Sequence, residues 1–396
     1  MSKQAPDPSV KGTSCAYAQA VPYVKRYMPT KIMNKLLAFL LMLPVAYAAA
    51  DEPEVANMYL DRPIWALGLH DAKWLVPKNP GSKSPIFAFF SFSSQKTNMP
   101  DKPTEQREDN TGRTTRSLPL YLAERINVET NCRAENHVFV VKNSGPVVSG
   151  QEWDIKTLMG LFKSNPPDYF VTGHIVQDYL DLRSTITLKI WDVKGKKELI
   201  ELTETRLFSE AVNVASKLPS RFSTYVGTKG LCSFQSSSIY PAPSEQLLSP
   251  YLDALGQLLI QSLAENKVVP PESIWGEEDM LNWYLTLRKH MPFSDAPKLM
   301  YVRGVLASVD YGGATKQKYV PGLIEELKTS RVDDVLFKLS PLVYAKLKDH
   351  ASCEKKKLSL KRTATGIYRD WLNTIDCKAY NKSLNRTRAA DAALTG

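Results

Sequence analysis

The sequence predicts an α+β fold: a small α/β module with a mixed sheet, ordered β-α-β-α-β-β-β-α, followed by an irregular α-helical domain. Three observations carry this. Short, almost wholly apolar runs at 86–92 (IFAFFSF) and 137–141 alternate with amphipathic helical segments, the pattern of buried strands and their covering helices. From 168 the apolar spacing switches to period two and holds to 207 across two turn signals. After Pro250 the apolar stripes return to helical spacing.

The elements follow in order. The run 86–92 reads as a buried strand. Residues 93–117 hold Pro100, Pro103 and Gly112 among Lys, Thr, Asn, Asp and Glu, and read as a long mobile loop. Leu118, Tyr121, Leu122, Arg125 and Ile126 then fall at helical spacing over 118–128, and 137–141 is a second strand. Over 153–162 (WDIKTLMGLF), Leu158, Leu161 and Phe162 share one side of a helix. DYFVTGHIV at 168–176 is a strand, with a turn at 179–181. Leu182, Ser184, Ile186, Leu188 and Ile190 alternate with their neighbours, as on a half-buried strand. A turn at 193–196 leads to a third strand over 198–207, and Val214, Leu218 and Phe222 mark a helix over 210–225.

The module is expected to span 85–232 and the helical domain 250–377, joined by a linker at 233–249 that contains Ser236, Ser237, Ser238, Pro241 and Pro243. Ser249-Pro250 reads as a helix start. Leu252, Leu255, Leu258, Leu259 and Leu263 stripe the first helix, 277–291 and 298–309 give two more, and four shorter segments follow, the last around Trp371. No repeat of fixed period emerges. The tail 378–396 is polar and small-residue-rich, and is expected to be disordered.

Residues 33–50 read MNKLLAFLLMLPVAYAAA. Lys35, the apolar run 36–45 and Ala46-Tyr47-Ala48 have the order of a secretory signal peptide cleaved after Ala48. Residues 1–48 are then an upstream segment plus signal, with the true start at Met28 or Met33, and 49–84 are an amino-terminal extension. The apolar run is shorter than the roughly 20 residues a membrane span needs. No transmembrane segment is expected in the mature chain. Removing 1–48 takes away six basic side chains and one acidic, so the formal +10 of the full chain becomes +5. That mild excess argues against nucleic acid as a partner. Cys132, Cys232, Cys353 and Cys377 remain, an even number for an oxidising compartment. Of the three possible connectivities, Cys132–Cys232 with Cys353–Cys377 is favoured, because each pair stays within one expected domain. None of the spacings suits zinc.

Little here names a reaction. There is no G-x-S-x-G, H-E-x-x-H, G-x-x-x-x-G-K or G-x-G-x-x-G. Ser93 and Ser352 each begin an S-x-x-K, but no K-T-G or S-D-N accompanies them, and chance accounts for both. His174, beside Gly173 in a strand, reads as structural or solvent-facing before it reads as catalytic. Acidic Glu277-Glu278-Asp279 suits the start of a helix. Lys355, Lys356 and Lys357 form a basic run that reads as a solvated helix end and offers weak contact with a membrane surface. Trp191, beside Lys189, faces away from Ile186, Leu188 and Ile190, so both are candidates for partner binding; the competing reading makes Trp191 ordinary core beneath a second helix layer. No catalytic residue, metal or cofactor is expected.

The run DYFVTGHI (168–175), a hairpin and ITLKIWDVKGKKEL (186–199) resemble the amino-terminal α/β domain of TolB and related envelope modules of the FlgO and CsgG kind. The likeness covers roughly 85–226. It implies helices packed on a mixed sheet, a periplasmic setting and an envelope protein as partner. TolB's propeller and CsgG's membrane hairpin have no counterpart after 227. The expectation is a periplasmic or secreted, non-catalytic binding or assembly component of the bacterial envelope. The alternative is a periplasmic enzyme acting on envelope glycans or peptides.

Overall fold

One mixed sheet organises the first half of the chain. Its strands are β1 (Val55–Leu60), β2 (Ile86–Phe90), β3 (Ser93–Thr97), β4 (Arg133–Val141), β5 (Gly145–Pro146), β6 (Tyr169–Asp178), β7 (Arg183–Asp192) and β8 (Lys197–Leu207). The computed structural model describes residues 55–76, 84–98, 110–162, 165–207, 217–235, 239–274 and 276–378. The expected signal segment with Ala48, and all but the first residue of the tail, lie outside the described residues.

The hydrogen-bonded order is β1-β4-β2-β6-β7-β8. β2 runs parallel to both β4 and β6, while β6, β7 and β8 form an antiparallel meander. β3 takes over from β2 along β6, with Ser93 opposite His174. Helices α1 (Asn110–Glu129), α2 (Ile155–Leu161) and α3 (Leu218–Thr228) complete the β-α-β-α-β-β-β-α pattern, so the fold is α+β as expected. β1 is an addition to that pattern. It pairs antiparallel with β4 from within the expected extension.

Apolar runs become buried strands because the central strands are covered on both sides. Phe87 and Phe89 point into the larger core, with Val171, Ile186, Leu188 and Ile190 of β6 and β7 and Leu118, Leu122 and Ile126 of α1. Ala88 and Phe90 point the other way, into a smaller cluster with Phe170, Val193 and Leu158 of α2.

The helical half comprises α4 (Glu245–Glu265), α5 (Glu277–His290), α6 (Asp295–Tyr311), α7 (Lys316–Thr329), α8 (Val335–Lys346), α9 (His350–Lys361) and α10 (Gly366–Thr374). Leu255, Leu258 and Leu259 of α4 join the same large core as α1 and the sheet. The described residues, all of which lie between 55 and 378, belong to one compact unit.

Three helices run through prolines where the sequence suggested boundaries. α1 begins at Asn110, two turns before Leu118, and β3 occupies the start of the expected loop. Pro119 lies inside α1. It cannot bond the Thr115 carbonyl, and the Phe92 N–H takes that carbonyl at 2.7 Å. This bond ties α1 to the β2–β3 junction. α4 begins at Glu245, and Pro250 sits within it, its carbonyl accepting the Trp283 indole N–H at 3.0 Å. The two short segments expected around Pro341 are one helix, α8. There the Ser340 hydroxyl donates to the Phe337 carbonyl that Pro341 leaves free, at 2.6 Å.

Cys132 at the head of β4 is bonded to Cys232 after α3, and Cys353 in α9 to Cys377 beyond α10, each with a Cα separation of 5.7 Å. These are the two pairs favoured from sequence. No helix among the described residues is long and apolar enough to cross a membrane.

Candidate functional site

Ser93 and His174, 81 residues apart in the chain, meet on the sheet face away from the larger core. The backbone makes the meeting possible. Gly173 carries no Cβ, and one placed there would stand 2.5 Å from the Phe92 ring. The glycine of the V-T-G-H-I run is thus a packing requirement: it lets Phe92 lie against β6 and sets Ser93 beside His174. The Ser93 hydroxyl donates to the Gly173 carbonyl at 3.2 Å, and His174 Nδ1 lies 2.7 Å from the same oxygen. With the hydroxyl proton given to Gly173, Nδ1 is the protonated nitrogen and Nε2 the basic one. Burial lowers the pKa of His174; Glu152 works against this and Lys189 with it. The imidazole is therefore neutral at pH 7.

Glu152 and Trp153 reach this face from the segment before α2. That segment is fixed by Asp154, which caps α2 through the Thr157 N–H at 2.9 Å. It is fixed also by Trp153, whose indole N–H donates to the Ser91 carbonyl at 2.9 Å. Lys189 Nζ lies 2.9 Å from Glu152 and 3.3 Å from Glu201. Burial alone would lower the lysine's pKa, but the two carboxylates outweigh it and raise the value.

Glu152, His174, Lys189, Thr172 and Thr187 therefore converge on one cleft, whose volume is about 10 Å³. That is room for roughly one water. Ser93 is 0 % exposed, so its oxygen cannot reach a substrate carbonyl. Its S-x-x-K partner Lys96 lies on the same strand, β3, and not one helical turn away. The arrangement can hold a water against a neutral imidazole. It has no accessible serine nucleophile and no chamber for a glycan or peptide.

Trp191 lies opposite the larger core, as alternation predicts, but the face is covered there. The ring is half-buried against the cluster of Ala88, Phe90, Leu158, Phe170 and Val193, and its N–H donates to Thr172 Oγ1 at 3.0 Å. Replacing Trp191 by alanine is expected to lower unfolding free energy by about 3 kcal/mol in a urea titration. Phenylalanine, which loses the bond to Thr172 and only part of the ring's packing, should cost about 1–2 kcal/mol. A Trp191→Ala protein of unchanged stability would place the ring's role outside the fold.

The open part of this face lies further along β7 and β8. Thr185 faces Thr205 across the pair with hydroxyls 2.9 Å apart, and Thr187 faces Thr203. Thr203, Thr205 and Glu201 are exposed. Alternation alone could have identified most of this threonine stripe, since Thr185, Thr187 and Thr203 each sit beside a core residue that points the other way.

The other sequence candidates are dispersed. Of the basic run on α9, Lys356 lies 4.1 Å above the Phe337 ring and Lys357 bonds the Ile375 carbonyl, which leaves Lys355 as the exposed member. Glu277 accepts from Thr315 Oγ1 at 2.6 Å and from Tyr311, tying the start of α5 to the end of α6. His137 is packed between Phe90 and Tyr59, with Nδ1 2.9 Å from Asn57. No group of three or more metal-ligating side chains occurs among the described residues. No protein-family model matches this chain, and neither the curated proteins nor the solved structures contain a match to it.

Proposed function

We propose that this chain is a secreted, non-catalytic binding or assembly component of the bacterial cell envelope, which meets a protein partner through the open face of β7 and β8. The observation that carries the reading is the contrast on one sheet face. Where titratable groups converge, the cleft admits about one water and its serine is sealed. Where the face is open, it offers a flat stripe of threonines flanked by Lys189, Glu201 and Glu152. A flat polar surface with paired hydroxyls suits a protein face more than a small substrate, which needs a concave site.

The setting rests on other observations. The basic residue, apolar run and small-residue site at 33–50 support export. Two paired disulfides fit an oxidising compartment. The resemblance of 168–199 to TolB-type amino-terminal domains supports an envelope role.

A photo-crosslinking residue at Thr203, introduced in cells, tests the reading. Adducts with an envelope protein are expected from Thr203 and absent from the exposed control position Lys289 on α5. Equal labelling from both positions, or none from Thr203, would count against the proposal. The enzyme alternative keeps one specific support, the convergence of Glu152, His174 and Lys189. It requires a turnover that His174→Ala abolishes.

A further inference from the structure

A second concave site lies between the segment that follows β1 (residues 61–76), the head of β4 and α10. Its volume is about 350 Å³. That is some thirtyfold more room than the cleft at His174 and falls at the small end of the range of ligand pockets. Pro63, Ala66, Val76 and Ile367 supply apolar walls, while Arg62, Lys73 and Arg133 bring positive charge.

The three cations differ in what they have left to give. Arg62 is held by its own neighbours: Nε donates to Asp61 at 2.7 Å, Nη2 to the other oxygen of Asp61 at 3.2 Å, and Nη1 to Asp71. Lys73 leans on Asp71 at 3.4 Å. Arg133, the first residue of β4, is exposed and makes no side-chain hydrogen bond or ion pair with any described residue. Arg62, Lys73 and Arg133 line the cavity against Asp61, with Asp71 just outside it, so positive charge is in excess by one. Arg62 bonds Asp61 directly, while Arg133 acts on it only at longer range. The backbone beneath that guanidinium is anchored. The Arg133 N–H donates to the Pro85 carbonyl at 2.9 Å, and Cys132 beside it is disulfide-bonded.

We propose that this cavity binds a small amphiphilic monoanion: an apolar body, aromatic or short aliphatic, seated against Pro63, Ala66, Val76 and Ile367, with its carboxylate or sulfonate paired to Arg133. The walls reward apolar area. The guanidinium of Arg133, with no direct hydrogen bond or ion pair to a described residue, selects one negative charge through the two-point geometry that suits a planar or tripod oxyanion. A dianion would leave charge unpaired beside Asp61, and a neutral analogue would leave Arg133 without its partner.

The test uses the full chain with its disulfides intact and 8-anilinonaphthalene-1-sulfonate as probe. Saturable fluorescence enhancement with one site per chain is expected. Arg133→Gln keeps two of the three stem methylenes and removes the charge, and should weaken the probe about tenfold with an unchanged melting temperature. Ile367→Trp, made from an exposed position on α10, should fill the cavity and abolish the enhancement. Decanoate should displace the probe from the wild type, and decanol should not. Enhancement that both variants leave unchanged, or that decanol reverses as well as decanoate does, would overturn the proposal. The Arg133→Gln comparison stands even if Ile367→Trp fails to fold.

Discussion

Replacing Arg303 by alanine is expected to lower the unfolding free energy by about 3–5 kcal/mol, the largest single-residue effect foreseen for this fold. Arg303 lies in the middle of α6 and is 1 % exposed. Its guanidinium packs on the backbone of Gly68, where an added Cβ would stand 2.7 Å from Cζ. Nη2 bonds Glu265 at the end of α4. Lys346, at the end of α8, reaches Asp310 at 2.7 Å and Glu265 at 3.6 Å. The four groups form a neutral square that joins α4, α6 and α8. Burial pushes Glu265 up, but Arg303 and Lys346 overcome it and hold the carboxyl at about 2. Burial raises Asp310, with Glu265 adding to the shift against the pull of Lys346. Without Arg303, two buried carboxylates share one ammonium, and the surplus negative charge accounts for the loss. The Arg303→Ala/Glu265→Ala double variant restores neutrality and should recover part of the stability. With Glu265→Ala as the third variant, losses that simply add in the double variant, or a double variant as destabilised as Arg303→Ala, would contradict this account in urea denaturation.

The second large effect depends on pH. Glu124 in α1 is 1 % exposed and accepts hydrogen bonds from the Trp65 indole at 2.8 Å and the Tyr251 hydroxyl at 2.7 Å. It therefore ties the segment after β1 and α4 to α1. Burial raises its carboxyl to about 7, more than Arg125 and the two hydrogen bonds can offset. The folded state thus holds a proton that the unfolded chain has released between pH 4.5 and 7. Relative to a residue that does not titrate, Glu124 contributes its full stability below pH 4.5 and loses it as pH rises through 7. The difference is roughly 3 kcal/mol. Glutamine keeps one acceptor and one donor in place and should abolish this dependence. Thermal melts from pH 4 to 8 should therefore show wild type losing stability relative to Glu124→Gln as pH rises. Parallel curves for the two proteins would rule out Glu124 as the titrating group.

How far the fold was legible depended on where each residue's partner lay. β7 could be read because alternation is local: Ile186, Leu188 and Ile190 are buried and their neighbours are not. α5 could be read because acidic residues open it and Pro292 closes the stripe soon after it. β3 could not. Its sequence is SSQKT, and only Ser93 is buried, so the strand exists by virtue of β6, some eighty residues on. β1 likewise depends on β4, and Asn57 at its centre hides the pattern. α9 buries only Cys353 and Leu360, too few to show a stripe among its lysines. Pro341 misled for a similar reason: the acceptor it orphans is satisfied by Ser340, a contact no window of sequence displays. The candidate site was legible as separate residues, Ser93, His174, Lys189 and Trp191. What their meeting means was not, because both the sealing of Ser93 and the cover over Trp191 come from packing. Glu124, Glu265, Arg303 and Lys346 carry no signal of their burial in the sequence for the same reason.

The central claim is that the β7–β8 face binds a protein and does no chemistry. Thr187 and Thr203 are its most direct probes, since both lie on that face and neither belongs to a core cluster. The decisive measurement is the affinity of the partner identified through Thr203, compared between wild type and the Thr187→Arg/Thr203→Arg protein, with melting temperatures recorded alongside. The account predicts at least about a tenfold loss of affinity, or 1.4 kcal/mol, with melting unchanged. Unchanged affinity in a variant that melts like the wild type would contradict it.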